Sequence, residues 1–202
     1  PWLKWKKEPN KKIDYLVDLD IINPYFRSRG LAELLEENKI HLVESTVKGM
    51  LGSDLPYVSG EGVVPFVNPN ITAIYDLGGT ENGARVLIQF LDRVKDLNEI
   101  DFLCSVNIFR PETADVKGIL DTIAMYEAET QLKITGLINN TNLINETEEE
   151  DIIRGEGILM EVSKKLNIPI VYTVVEETKK NYNYEFLGER ITLIRYIAKK
   201  YL

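Results

Sequence analysis

The stretch "ITAIYDLGGTENG", residues 71–83, carries three signals in sequence: a β-branched and aromatic run, one aspartate, and a glycine pair before a helical pattern. Ile71 to Tyr75 reads as a buried strand that stops at Asp76. Gly78-Gly79 lets the backbone turn sharply, and the residues from Gly83 onward place Val86, Phe90, Val94 and Leu97 on one helical face. A strand that surfaces at a carboxylate and re-enters as a helix is half of a β-α unit.

The same alternation extends to both sides. Apolar runs recur at 13–17, 40–43, 71–76, 100–109, 132–139 and 168–175, with helical patterns at 31–38, 83–97, 114–130, 148–166 and 188–202. The runs are continuous in hydrophobicity, as strands covered on both faces should be. A mostly parallel sheet with helices on both faces, a three-layer α/β fold, is therefore predicted, with residues 1–202 forming a single domain. Glu148–Glu150 suit a helix N-terminus and Lys199-Lys200 a C-terminus, given the helix dipole. Glu44–Asn70, 27 residues with four glycines and three prolines, breaks the alternation. A loop of that length is usually functional or conceals a short helix.

Composition narrows the class. The chain has 202 residues, 44% of them hydrophobic and 28% charged, an ordinary globular balance that needs no disulfide or metal staple. A formal charge of −8 argues against a general binder of nucleic acid or anionic membrane, while leaving room for a local phosphate pocket. The single cysteine, Cys104, excludes an intrachain disulfide and fits a reducing compartment. No apolar run reaches the roughly 18 residues of a membrane span, and "PWLKWKKEPNKK" lacks a signal-peptide core, so a cytoplasmic location is expected.

In open α/β sheets ligands bind beyond the carboxyl ends of the strands. Those ends are polar throughout: Asp18, Asp20, Asn23 and Arg27 after the first run, and Asp76 with "LGGTENG" after the third. Asn107 and Arg110 follow the fourth, and Asn139 to Asn142 the fifth. These residue types handle phosphate, magnesium and a base. Taken singly, each aspartate is more readily a turn former or helix cap, and Arg110 a surface ion pair. His41, with no nucleophile or ligand companion nearby, and Cys104, amid apolar neighbours, read as structural. Trp2 and Trp5 fit a frayed helix, the tail of a preceding one, or a contact patch.

The combination resembles a known family. "IYDLGGTENGARVL" is similar to the Walker B and switch II segment of ParA/MinD-type ATPases, the deviant-Walker branch of P-loop NTPases. "VDLDIINPYFRSR", "NIFRPET" and "TGLINNTNL" resemble successive motifs of the CobQ/CobB/MinD/ParA nucleotide-binding domain proteins within it. The resemblance spans about Lys12 to Val175. It implies an ATP-binding domain acting as a nucleotide-dependent switch with ATP and Mg2+ as cofactors, a homodimeric state and an unknown protein partner. It implies that Asp18 and Asp20 are the acidic pair of switch I, Asp20 orienting the attacking water and Asp18 lying toward the metal. Asp76 is then the magnesium-associated carboxylate, Gly79 a γ-phosphate contact and Asn140 the amide that reads adenine. Arg110 joins them as a nucleotide-binding candidate.

One departure bears on activity. A G-x-x-x-x-G-K-[ST] loop should precede the Asp18 strand, yet only 17 residues stand there, and the first 12 contain no glycine. Without that loop no backbone N–H groups cradle the phosphates, so little or no ATPase turnover is expected. A fragment, or a P-loop missing from view, is the favoured explanation over a naturally shortened relative, because loss of a central strand leaves a hole in the core. Two alternatives stand beside the switch: a nucleotide-independent dimerising scaffold and, ranked last, a dinucleotide enzyme using "GGTENG", which lacks the G-x-G-x-x-G spacing.

Overall fold

The computed structural model describes residues 2–5, 12–19, 32–44, 60–91, 94, 100–176, 182 and 184–193. Asp20, Asn23, Arg27 and the Lys199-Lys200 pair lie outside the described residues. The chain divides into two compact units, one of Pro1–Phe102 with Glu129–Gln131, the other of Leu103–Ala128 with Leu132–Leu202. Each is a mixed α/β unit with its own mostly parallel set of strands.

The first unit contains β1 (Trp2–Trp5), β2 (Tyr15–Asp18), α1 (Ala32–Glu37), β3 (His41–Glu44), α2 (Val64–Val67), β4 (Ala73–Asp76) and α3 (Glu81–Leu91). Its strands lie in the order β3-β2-β4-β1. β2 runs parallel to both β3 and β4, as continuous apolar runs predict, whereas β1 pairs antiparallel with β4. The helical reading of Trp2–Trp5 is thus corrected: the segment is a strand paired along β4, a state that tryptophan favours. Asp14 fixes where the parallel strands start. Its backbone N–H donates to Thr72 O at 2.8 Å, and its carboxylate accepts from Thr72 N–H at 2.9 Å. Its carbonyl accepts from His41 N–H at 2.8 Å.

The short helix expected within Glu44–Asn70 is present as a 3-10 turn, Gly60–Val63, leading into α2. It delivers Phe66 into the core, where the ring stacks on Tyr75 at 4.6 Å and lies 6.0 Å from Phe90 of α3. Tyr75 is fully buried, which pushes its phenol far above the usual range, and its hydroxyl donates to Gly62 O at 2.7 Å. His41 opens β3, packs edge-on against Tyr15 and meets Glu61 at 3.2 Å on the surface, consistent with a structural role.

The second unit contains β5 (Ile100–Val106, from Leu103 on), α4 (Val116–Thr130, up to Ala128), β6 (Gly136–Asn139), α5 (Glu149–Leu166), β7 (Ile170–Glu176) and β8 (Glu189–Leu193). The strands lie in the order β5-β6-β7-β8, all parallel. Cys104 is buried mid-strand in β5, and burial raises its thiol pKa, which keeps it protonated and inert. α5 packs against β6 and β7 through Ile152, Leu159 and Val162. Its ends obey the dipole: Glu149, Glu150 and Asp151 fill the first turn and Lys164 and Lys165 the last. The Glu148 N–H donates to Asp151 Oδ2 at 3.1 Å, and Asn167 ends the helix in the left-handed region at φ 55°.

β8 (Glu189–Leu193) overturns the start of the helix expected at 188–202, whose residues 194–202 lie outside the described residues. Gly188 has φ 74°, and a Cβ there would stand 2.7 Å from the Val171 backbone, so the chain turns sharply at this point. Residues 189–193 then pair with 172–176 of β7. β-branched Ile191 and Thr192 suit that ladder, and the pairing outweighs a helical period that those few residues carry only weakly. Among the described residues no helix is long and apolar enough to cross a membrane.

Candidate functional site

In the first unit, β2 and β4 end together. Their register places Asp18 opposite Asp76, and the Leu19 N–H donates to Asp76 O at 2.8 Å. Neighbouring strands stand about 4.8 Å apart, so two carboxylates leave the sheet side by side. Asp18 is buried and Asp76 half-buried, and both make further interactions. The register also brings Glu44 of β3 to the position beside Asp18, an acidic neighbour that strand-by-strand reading does not reveal.

Beyond Asp76 the chain makes the turn that the glycine pair foretold. Leu77 and Gly78 are buried, Gly79 and Thr80 are exposed, and α3 starts at Glu81. The Ala84 N–H donates to Thr80 O at 3.2 Å, closing the first turn. Gly83 holds the turn tight: a Cβ on it would stand 2.2 Å from Gly78 O. The exposed backbone of Gly79 is thereby fixed between the paired carboxylates and the start of an 11-residue helix, an arrangement suited to a metal-bound anion.

The two carboxylates fit magnesium, which keeps most of its waters and takes only one or two protein carboxylates beside substrate oxygens. They do not form a dedicated cage: among the described residues no group of three or more His, Cys, Asp or Glu could hold a metal ion. Asp20 lies outside the described residues.

The second unit gathers an amide cluster at the ends of β5 and β6. Asn107 Nδ2 donates to Asn142 O at 3.0 Å, and Asn107 Oδ1 accepts from Phe109 N–H at 3.1 Å and Asn142 N–H at 3.3 Å. Asn107 therefore ties two strand-end loops together. Asn139 is fully buried, its Nδ2 donating to Ile152 O at 3.0 Å and its Oδ1 accepting from Thr141 N–H at 3.3 Å. Gly155 makes room for this contact, since a Cβ there would stand 2.2 Å from Thr141 Oγ1.

Asn140, next in the chain, differs. It is half-buried, its backbone N–H is held by Val106 O at 2.8 Å, and its Oδ1 meets Asn142 Nδ2 at 3.4 Å. Its own Nδ2 donates to no partner among the described residues. Of two adjacent asparagines, one amide is fully buried and spent inside the fold and the other is half-buried with an Nδ2 that has no partner among the described residues, a distinction sequence alone does not make.

Asn140 lines a recess with Thr141, Asn142, Thr147, Ile152 and Tyr182 that encloses about 10 Å³, room for one water. The buried hydroxyls of Thr141 and Tyr182 have no hydrogen-bond partner among the described residues. Burial, and then the Glu148, Glu149 and Glu176 carboxylates, push the Tyr182 phenol up, opposed by Arg190.

Arg110 is exposed and starts a 3-10 turn, its N–H held by Asn107 O at 3.0 Å. Its guanidinium has no partner among the described residues, so the ion-pair reading finds no carboxylate there. Asp18, Asp76 and Gly79 thus form one group in the first unit, and Asn140 and Arg110 another in the second. Comparison with protein-family models, with curated proteins and with solved structures gives no match to this chain.

Proposed function

We propose that this chain is an ATP-binding domain of the ParA/MinD type with a three-layer P-loop NTPase-like fold, although no G-x-x-x-x-G-K-[ST] segment occurs in its 202 residues. In this reading it serves as a nucleotide-dependent, dimerising switch for a protein partner in the cytoplasm. The observation that carries the reading is the register of Asp18 and Asp76 at the ends of adjacent parallel strands, followed by the Gly83-locked turn that exposes Gly79. Asp18 and Asp76 would hold the hydrated magnesium, Gly79 would approach the γ-phosphate, and Asn140 would read adenine with Arg110 nearby. Magnesium supplies charge neutralisation to the phosphates. Asp20 would orient the attacking water once a phosphate cradle is present.

Thermal unfolding with ATP-Mg, ATP alone and NAD tests this. A ligand specific to the native state raises Tm, so ATP-Mg should raise it, ATP alone less, and NAD not at all. Asp76→Asn keeps the shape and removes the charge. Its expected effect is about 10-fold weaker ATP-Mg binding with unchanged binding of metal-free ATP, as for outer-shell metal partners generally. Equal ATP-Mg affinity in Asp76→Asn and the parent would end the assignment.

One observation favours the scaffold alternative. β1 already occupies the place beside β4, antiparallel and without a glycine loop. A chain that dimerises equally well with and without ATP-Mg, and whose Tm ignores the nucleotide, would establish that alternative.

A further inference from the structure

Two buried hydroxyls stand unsatisfied near the carboxyl ends of β6 and β7, and both residues line one recess. Thr141, just after β6, is only 1% exposed, and its Oγ1 has no hydrogen-bond partner among the described residues. The buried hydroxyl of Tyr182, in the segment between β7 and β8, has none either. The recess they share holds about 10 Å³, yet neither hydroxyl bonds the other. Leaving a buried hydroxyl unpaired is costly. Two of them beside one water-sized space mark the place of a third group.

Charge decides what that group is. The lining includes one carboxylate, Glu176 at the end of β7, and no lysine, arginine or histidine. Burial, and then Glu148, Glu149 and Glu176, raise the Tyr182 phenol, against Arg190, whose guanidinium lies 5.9 Å from the ring centre. Among the charges acting on this oxygen, three carboxylates outnumber one guanidinium, so the potential there is negative. A water satisfies the hydroxyls and leaves that field uncompensated, whereas a cation answers both. A dication does not suit the space: it draws six or more oxygens or keeps several waters. Nor do three His, Cys, Asp or Glu gather around a metal position among the described residues.

We propose that the recess is a site for one monovalent metal cation, potassium or sodium, held by the Thr141 and Tyr182 hydroxyl oxygens and the Glu176 carboxylate. One positive charge balances the one lining carboxylate, and alkali ions accept neutral oxygens in place of their hydration shell. The ion joins the end of β6, the end of β7 and the segment that leads to β8. It is independent of the nucleotide reading, whose magnesium carboxylates belong to the first unit.

Thermal unfolding of the intact chain in KCl, NaCl and choline chloride at equal ionic strength tests this, choline being too large to enter. KCl or NaCl should raise Tm by a few degrees over choline. Thr141→Val keeps the shape and removes the oxygen. It should abolish that increment while Tm in choline stays unchanged or rises, because an unpaired buried hydroxyl goes with it. A merely structural hydroxyl would instead lower Tm in all three salts alike. Thr141→Ser should keep the increment, and Tyr182→Phe should lose it, which serves if the valine variant folds poorly. A crystal soaked with thallium(I), which replaces potassium and scatters anomalously, should show a peak between Thr141, Tyr182 and Glu176. Equal Tm in the three salts, or an ordered water there without thallium, overturns the proposal. An increment that survives both Thr141→Val and Tyr182→Phe puts the ion elsewhere and overturns it equally.

Discussion

Replacing Glu156 by alanine is expected to cost about 2–4 kcal/mol, lowering Tm by roughly 10 °C in a chain of this size. Glu156 sits in the middle of α5, is only 3% exposed, and has no cationic partner among the described residues. Its carboxylate is occupied by donors instead. Oε1 accepts from the Tyr184 hydroxyl at 2.8 Å, and Oε2 accepts from the Leu187 N–H. Glu149, two turns earlier, accepts from the Tyr184 N–H at 2.8 Å. The segment before β8 is thus attached to α5 through two glutamates. Alanine removes both acceptors of Glu156 and leaves a gap in the helix face.

The effect should reach further than the helix. Leu187 O accepts from Thr173 Oγ1 at 2.8 Å, and Thr173 is fully buried in β7. Should the segment lift away, that hydroxyl loses its acceptor as well, which is costly inside a sheet. Glu156→Gln keeps one acceptor but turns an amide NH2 toward a donor, so its stability should fall between the parent and the alanine variant. Hydrogen exchange offers a local readout: the Leu187 amide and those of β8 should lose protection before β5 and β6 do. Glu156→Ala within 0.5 kcal/mol of the parent would show that the carboxylate is dispensable.

How much of this could be read in advance depends on whether the decisive contact is local. The six apolar runs each overlap a strand, because continuous hydrophobicity reports burial on both faces whatever the partner. The polarity of α5 was legible for the same reason: its acids and lysines answer to the helix's own dipole. β8 was not legible. Residues 189–193 become a strand because Gly188 turns the chain onto β7, and neither the turn nor the open edge of β7 is written in the local period.

The site divides along the same line. Asp18 and Asp76 are recognisable as strand ends, yet their adjacency is a fact of register, set partly by Asp14 fifty-eight residues from Thr72. That amides stand at the end of β6 was foreseeable. Which of Asn139 and Asn140 is fully buried depends on α5, whose Gly155 and Ile152 absorb the first of them. Glu156 gave no signal at all, since a glutamate amid a charged helix looks like surface until the segment after β7 closes over it.

Gly83→Ala should have the other large effect, and its sign is opposite to what helix propensity alone gives. Within a helix, glycine to alanine normally gains about 1 kcal/mol. Gly157 in α5 is the matching case: a Cβ there meets nothing within 4 Å, so Gly157→Ala should stabilise by roughly 0.5–1 kcal/mol. At Gly83 the new methyl would stand 2.2 Å from Gly78 O, 2.8 Å from Gly78 C and 2.9 Å from its Cα. These atoms are backbone, so no rotamer change relieves the overlap. Either α3 or the turn must move by several tenths of an ångström, and overpacking against backbone costs up to about 3 kcal/mol, against a propensity gain of about 1. Ala84, Val86, Leu87 and Phe90 anchor α3 in the core, so the part that yields is the Gly78-Gly79 turn. A net loss of about 2 kcal/mol in chemical denaturation is therefore expected for Gly83→Ala. On the proposed function the Tm response to ATP-Mg goes with it, because Gly79 no longer stands where the γ-phosphate would meet it. If Gly83→Ala proves as stable as Gly157→Ala, the close approach of Gly78 and Gly83 does not hold the turn. The glycines of "LGGTENG" would then need a different explanation.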